Sequence, residues 1–432
     1  MDFCHSAKFF TNFVFRKSLV QNPLGTFSTI AWWSCRAVLL VQLEKFKRMD
    51  TPFQFADYVT GKYFIGRRSD CITLSNLLTQ GESIAIWSPL KSGKMSAVQQ
   101  TLLNMRTSGK QFLMCSLDLT NIHDAELFIR RFAGAVISSI STVPQDYEDN
   151  ASKYLAGTSL EFDAQSFSVT GRVFSDNAPI GAAEISAVAE LPFRIAEEKN
   201  VQFIIVLNEF ENIDSDEGEK FFRVLDASIS ARIQARTPRC SFIFLGSRAN
   251  AMESIFMRRK FFWKSVEKYS LSMISDAEIA EHVLKGFSVG GKVIERDLIQ
   301  VVCGLFRNNI WYINNFFFIC DALSKGYISE ITFNDALSCM VSANLPRFKA
   351  IMDDLTGFQE RFLKAVLDGN VKFSTTEVIE NYRLNSSANV KRLKEALMKK
   401  EVLSFNDKDE PSVQDPLFEY WLRKYYFGED LQ

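Results

Sequence analysis

The chain has 432 residues, 47% of them hydrophobic and 23% charged, which is an ordinary globular composition with length for roughly two to four domains. A net charge of −1 supplies no global field toward nucleic acid or membrane, so any such binding has to be local. No apolar run reaches the about 20 residues of a membrane span, and the nearest, residues 27–43, is broken by Arg36, so no membrane association is expected.

The 8 cysteines are scattered without a C-x-x-C pair, and the three histidines, His5, His123 and His282, lie far apart. That pattern predicts buried free thiols in a reducing, cytoplasmic compartment and no metal centre. The 39 phenylalanines read first as core filling.

Residues 1–48 stand apart, with seven Lys/Arg against two acids, the pair Trp32-Trp33 and no clean period. Met49 opens Met-Asp-Thr-Pro-Phe like a natural start, so residues 1–48 are expected to be upstream sequence, with a mobile basic arm or targeting piece as the alternative. Phe64-Ile-Gly-Arg67 then precedes an amphipathic helix over 69–78. An apolar strand, Ile84–Trp87, enters the loop Ser88-Pro89-Leu90-Lys91-Ser92-Gly93-Lys94, and a helix that takes in Met95 and Ser96 is expected over about Ser92 to Arg106. A strand feeding Gly-Lys at a helix start is the context of a phosphate-binding loop. The pattern G-x-x-x-x-G-K followed by Ser or Thr is incomplete, because Ser88 stands for the first Gly and Met95 for the hydroxyl residue.

Further strands are predicted at 112–119, 203–207 and 241–248, separated by helices at 125–140, 185–198 and 217–234 and by an irregular stretch, 141–181, holding a small hairpin. Alternation of this length predicts a parallel sheet with helices on both faces, binding ligand beyond the carboxyl ends of its strands. Lys94, Glu209 and Ser247 lie just past such ends. From Ser275 the pattern is helical (275–287, 295–306, 310–325 and 332–340). The last segment reads as helices at 356–367, from a Ser374–Glu377 capping box, and at 386–400, then two short strands at 402–406 and 411–413. Three helices and a wing predict a winged helix-turn-helix, closed by an aromatic helix.

In order, Phe64-Ile-Gly-Arg67, the phosphate-binding loop, Asn208-Glu209-Phe210-Glu211-Asn212, Phe244-Leu-Gly-Ser247, the helical segment, the winged helix and Asp415-Pro-Leu-Phe-Glu-Tyr-Trp-Leu resemble the archaeal-type prokaryotic P-loop ATPases, within the AAA+/STAND group. The resemblance covers roughly residues 50–427. It implies an α/β P-loop NTPase core over 49–270, a helical lid over 271–345 and a winged helix domain over 350–427, with ATP as ligand.

What the resemblance implies for the site is mixed. Gly93 and Lys94 keep the features that cradle phosphates, and Lys91 and Arg67 add cations. Glu209 stands where relatives polarise the attacking water, and Ser247 and Arg248 match a sensor-like tip. The hydroxyl that relatives place on Mg²⁺ is replaced by the thioether of Met95, and the supporting Asp by the amide of Asn208; a soft sulfur is a poor partner for a hard cation, and a neutral amide can offer its oxygen but brings no charge. Ser96 points about 100° away around the helix. On the last domain, Lys391, Arg392 and Lys394 could meet DNA, although acidic neighbours and an acidic wing tip oppose it; a protein partner is the competing expectation. Three classes stay open: a nucleotide-switched regulator with weak or Mg-independent binding and slow or lost hydrolysis, an active ATPase coupled to DNA binding, and a scaffold with an empty loop, a pseudoenzyme.

Overall fold

The computed structural model describes residues 51–428 apart from 56–57, 123, 171–179, 238 and 407. The expectations for residues 1–48 and Met49, and for Cys4, Cys35, His5 and His123, fall outside the described residues.

Five parallel strands form the central sheet: β1 (Ser83–Trp87), β2 (Phe112–Asp118), β5 (Gln202–Asn208), β6 (Cys240–Gly246) and β7 (Val266–Lys268), in the order β2-β5-β6-β1-β7. The central strands are apolar on both faces, so alternate residues serve two cores. Ile84, Ile86, Ile204, Val206, Ile243 and Leu245 meet Leu74 and Leu78 of α1 (Arg68–Thr79) and Val98, Leu102 and Met105 of α2 (Lys94–Thr107). The opposite face, with Phe203, Ile205, Phe242 and Phe244, packs on α3 (Ala125–Ser138), α5 (Ala182–Lys199) and α6 (Asp216–Gln234). Phenylalanine does fill this core: Phe210, Phe222, Phe244, Phe256 and Phe262 are fully buried, with rings in mutual contact.

The register brings the strand ends into one line. Asp118 pairs with Asn208, Asn208 with Leu245 and Trp87 with Gly246, so the loop after β1, Glu209 and Ser247 emerge along one edge.

Several elements differ from the sequence reading. The stretch 141–181 holds the expected hairpin, β3 (Glu161–Asp163) with β4 (Ser168–Thr170), but also α4 (Pro144–Tyr154), opened by Pro144 and buried through Tyr147, Ala151 and Tyr154 at helical spacing. Strand β7 went unread because only three residues pair, at a sheet edge. Beyond the short α7 (Ala249–Glu253), the helical segment's α8 (Asp276–Val289), α9 (Arg296–Phe306) and α10 (Ile310–Leu323) match the expected positions, whereas α11 (Glu330–Asp353) continues unbroken through Pro346. A two-residue parallel pair, β8 (Val293–Ile294) with β9 (Tyr327–Ile328), joins this unit.

The last segment contains α12 (Gly357–Leu367), α13 (Thr376–Asn381), α14 (Ser387–Lys399), an antiparallel wing of β10 (Leu403–Phe405) and β11 (Pro411–Val413), and α15 (Pro416–Trp421). The cap of α13 is Thr375, which accepts from the Val378 N–H, and not the predicted Ser374. Cys71, Cys115, Cys240, Cys303 and Cys320 are buried free thiols. Among the described residues, no helix is long and apolar enough to cross a membrane.

Candidate nucleotide site

The loop between β1 and α2 closes on itself and on the tip of β6. Ser88 donates its N–H to the Gly246 carbonyl at 3.3 Å, and the Ser88 and Ser92 hydroxyls meet at 2.5 Å. Pro89 and Leu90 are exposed at the crown. Gly93 stands at φ +85°, a left-handed conformation that a side chain resists. A Cβ there would also lie 3.0 Å from Arg67 Nη1, so the space over Gly93 belongs to a guanidinium.

Lys94 opens α2 and is only 6% exposed. Its ammonium donates to the carbonyls of Ser88 at 2.7 Å and Pro89 at 3.2 Å. Burial pushes its pKa down to about 8, against the opposing pull of the Glu209 and Glu211 carboxylates. A cation at the positive end of a helix is electrostatically misplaced unless an anion shares the site. Lys91, at φ +66°, places its ammonium 3.4 Å from the Trp311 ring centroid in α10, and burial together with Arg347 lowers its pKa to about 8.

Arg67 caps α1 in a left-handed conformation and donates through Nε to the Ser272 carbonyl at 3.0 Å. Burial presses its guanidinium below the ordinary value, opposed by Asp70. Asp70, buried one turn into α1, accepts from the Tyr269 hydroxyl at 2.7 Å and from Ser272. This carboxylate, absent from the sequence reading, secures the segment that carries Arg67 toward the loop.

At the far side of the loop, Glu209 adopts φ +57° and its carboxylate accepts from the Ser247 hydroxyl. Two residues on, Glu211 is 2% exposed, and its Oε1 accepts the N–H groups of Ser247 at 3.0 Å and Arg248 at 2.7 Å. Burial raises its pKa. Gly246 makes room for it, since a Cβ there would lie 2.7 Å from Glu211 Oε2. Glu211 was part of the quoted acidic run, but only the fold shows that it braces the β6 tip. Arg248, expected to approach phosphate, instead donates to the Glu211 carbonyl at 3.1 Å and Asn212 Oδ1 at 2.7 Å.

The two positions that relatives use for the metal are engaged elsewhere. Met95 packs on the Leu74–Leu78–Val98 cluster, and Gln99 donates to its sulfur at 3.6 Å. Asn208 donates its amide to Asp118 Oδ2 at 3.2 Å, and the Asp118 carboxylate also accepts from Thr120. The Ser96 hydroxyl is occupied by the Val59 N–H at 3.0 Å. Among the described residues no three His, Cys, Asp or Glu side chains gather as a metal cage. Met95 offers no hard oxygen to a cation, whereas Gly93, Lys94 and the α2 N-terminus fit a phosphate.

On the winged helix, Lys391 and Arg392 are exposed on α14, but Lys394 pairs with Asp409 of the wing and lies 4.1 Å from the Phe405 ring centroid. Of the three candidate DNA contacts, Lys391 and Arg392 are exposed and Lys394 is paired to the wing.

A family model described as "Probable winged helix domain" matches residues 346–424. No curated protein matches the chain. Among solved structures, the Walker-type ATPase of Pyrococcus abyssi superposes with a TM-score of 0.61 at 14% identity, covering 86% of this chain and 99% of that one. The Aeropyrum pernix ORC2 protein in its ADP form gives 0.47 at 11% identity, over 83% of this chain and 92% of that one. The ORC1 protein of the same organism, in complex with DNA, gives 0.44 at 10%, over 84% and 94%. The sheet, the loop and the C-terminal domain thus bear out the sequence resemblance at the level of fold: the chain has the divergent fold of a Walker-type P-loop ATPase carrying a C-terminal winged helix.

Proposed function

We propose that the chain binds a nucleoside triphosphate such as ATP through its phosphates without Mg²⁺, hydrolyses it slowly or not at all, and serves as a nucleotide-linked regulatory or interaction module. The observation that carries this reading is Lys94: a buried ammonium at the start of α2, beside a glycine whose upper face is kept open to a second cation. Met95 and Asn208 support the metal-independent part, because one is turned to an apolar cluster and the other to Asp118. Without a metal to neutralise developing charge, phosphoryl transfer loses several kcal/mol of transition-state stabilisation, a rate loss of orders of magnitude. Glu209, bonded to Ser247, keeps a carboxylate in reach of a water, so slow turnover is compatible with the site.

Calorimetry with ATP tests the reading. We expect equal affinity with and without Mg²⁺, loss of binding in Lys94→Ala, and no Mg-dependent phosphate release above that variant. Robust turnover abolished by Lys94→Ala would refute it. For partners, exposed Lys391 and Arg392 favour duplex DNA as the ligand of the winged helix.

A further inference from the structure

Residues 257–268, Met-Arg-Arg-Lys-Phe-Phe-Trp-Lys-Ser-Val-Glu-Lys, hold five cations against one acid in a chain whose net charge is −1. They lead from a single π-turn, Ser254–Arg258, into β7. Two phenylalanines anchor the turn. Phe262 is fully buried against Phe210, Phe222, Phe244 and Phe256, and Phe261 packs on Phe222. Lys260 at φ +59° and Phe262 at φ +57° both take the left-handed conformation, a strained one for side chains of this size. The buried rings hold that strain in place. Its result is a chain reversal that leaves Trp263 45% exposed. Lys268 closes the turn, donating to the Trp263 carbonyl at 2.6 Å and the Phe262 carbonyl at 3.4 Å, and the Ser265 hydroxyl ties it to Asp226 of α6. In β7, Val266 pairs with Ser83, the first residue of β1. The turn therefore enters the sheet at the amino end of β1, whereas the phosphate loop leaves its carboxyl end.

The cations of the turn divide into two sets. Arg258 pairs with Glu253 at 3.4 Å, and Arg259 with Asp214 at 2.5 Å and Glu219 at 2.9 Å. Among the described residues, Lys260 and Lys264 enter no ion pair, and both are exposed. The Lys260 and Lys268 ammoniums lie 5.5 and 5.0 Å from the Trp263 ring centroid. A large exposed ring thus stands among cations that carboxylates do not neutralise. Single-stranded nucleic acid uses both features, stacking a base on the ring and setting phosphates on the cations to either side. A duplex keeps its base faces in its own stack, so the ring offers it nothing. A membrane surface calls for a wider apolar face, and with Phe261 and Phe262 turned inward only Met257 and Trp263 are exposed there. An exposed ammonium holds an aromatic ring less strongly than a stacked base does, so an arriving base displaces Lys260 from Trp263 and frees it for a phosphate.

We propose that the turn before β7 binds single-stranded nucleic acid, with one base stacked on Trp263 and the flanking phosphates on Lys260 and Lys264. The site is independent of the nucleotide reading above and of the exposed cations of α14.

The test follows the fluorescence anisotropy of labelled oligothymidylate with the full chain at several salt concentrations, in the wild type, Trp263→Ala, Trp263→Phe and Lys260→Gln/Lys264→Gln. We expect Trp263→Ala to weaken binding roughly 5-fold or more and Trp263→Phe to restore most of the loss. The lysine pair variant should flatten the slope of log affinity against log salt by about 1.4, the share of two phosphate contacts on a single strand. It changes only exposed side chains, so it keeps the test readable if Trp263→Ala folds poorly. Lys391→Ala/Arg392→Ala should bind the oligomer like the wild type. Binding that follows that variant and ignores the changes in the turn overturns the proposal, as does equal competition by oligothymidylate annealed to oligoadenylate. Binding to phosphatidylserine vesicles alone, lost in Trp263→Ala, gives the turn to a membrane surface and overturns it too.

Discussion

Replacing Asn208 by Asp puts the paired loss at the metal position to a direct test. The Asn208 amide donates to Asp118 Oδ2 at 3.2 Å. An aspartate there sets two carboxylates at that separation. At a strand end open to water, the repulsion is about 1 kcal/mol after screening, which lowers the melting midpoint by about 2 °C. A divalent cation placed between the carboxylates reverses the sign. Asn208→Asp should therefore melt below the wild type in EDTA and regain the difference in millimolar Mg²⁺, while the wild type responds to neither. Adding Met95→Thr removes packing from the Leu74–Val98 cluster at a cost of about 1–2 kcal/mol and supplies the missing hydroxyl. The double variant should show Mg-dependent ATP turnover above that of the wild type, with Glu209 already bonded in place at Ser247. Differential scanning calorimetry with and without Mg²⁺, followed by a phosphate-release assay, reads both effects. A variant whose melting ignores Mg²⁺, or a double variant with no gain in turnover, would show that Asn208 and Met95 are not what bars the metal.

Two further expectations concern pH and DNA. Burial holds Lys91 and Lys94 near pKa 8, so a bound anion must raise both values; binding then takes up protons near pH 8, and affinity falls by up to about tenfold per lysine for each pH unit above it. Calorimetry in buffers of different ionisation enthalpy measures that uptake, and pH-independent affinity between 7.5 and 9.5 would contradict it. The sign for folding is opposite: the unfolded lysines, at 10.5, bind more protons than the folded ones, so stability rises with pH between about 8 and 10.5. For duplex DNA, Lys391→Ala and Arg392→Ala should each weaken a gel shift and flatten its salt dependence, whereas Lys394→Ala, whose charge Asp409 already neutralises, should leave it unchanged. An equal loss in all three would mean that Lys394 leaves the wing to meet phosphate.

Apolar runs and their spacing were enough to write the core of this chain. Ile84–Trp87, Phe203–Leu207 and the strand ending at Ser247 are buried on both faces, and a continuous apolar segment between helices has few other places to go. Gly93-Lys94 at a strand-to-helix turn was likewise local information, because backbone conformation and the helix end are set by neighbours in sequence. Elements without a strong local pattern were not legible: β7 pairs through only three residues at a sheet edge, and α11 runs on through Pro346, a residue that ordinarily interrupts a helix. The same division runs through the site. Sequence alone showed that a thioether and a neutral amide, Met95 and Asn208, stand where the resembled family carries a hydroxyl and a carboxylate, since that is a property of the side chains themselves. Only tertiary structure decided that Arg67 faces Gly93, that Glu211 rather than a loop residue braces Ser247, that Arg248 turns away from the loop, and that Lys94 loses its hydration. Those outcomes depend on burial and on contacts between strand ends far apart in the chain, which arise when the sheet assembles.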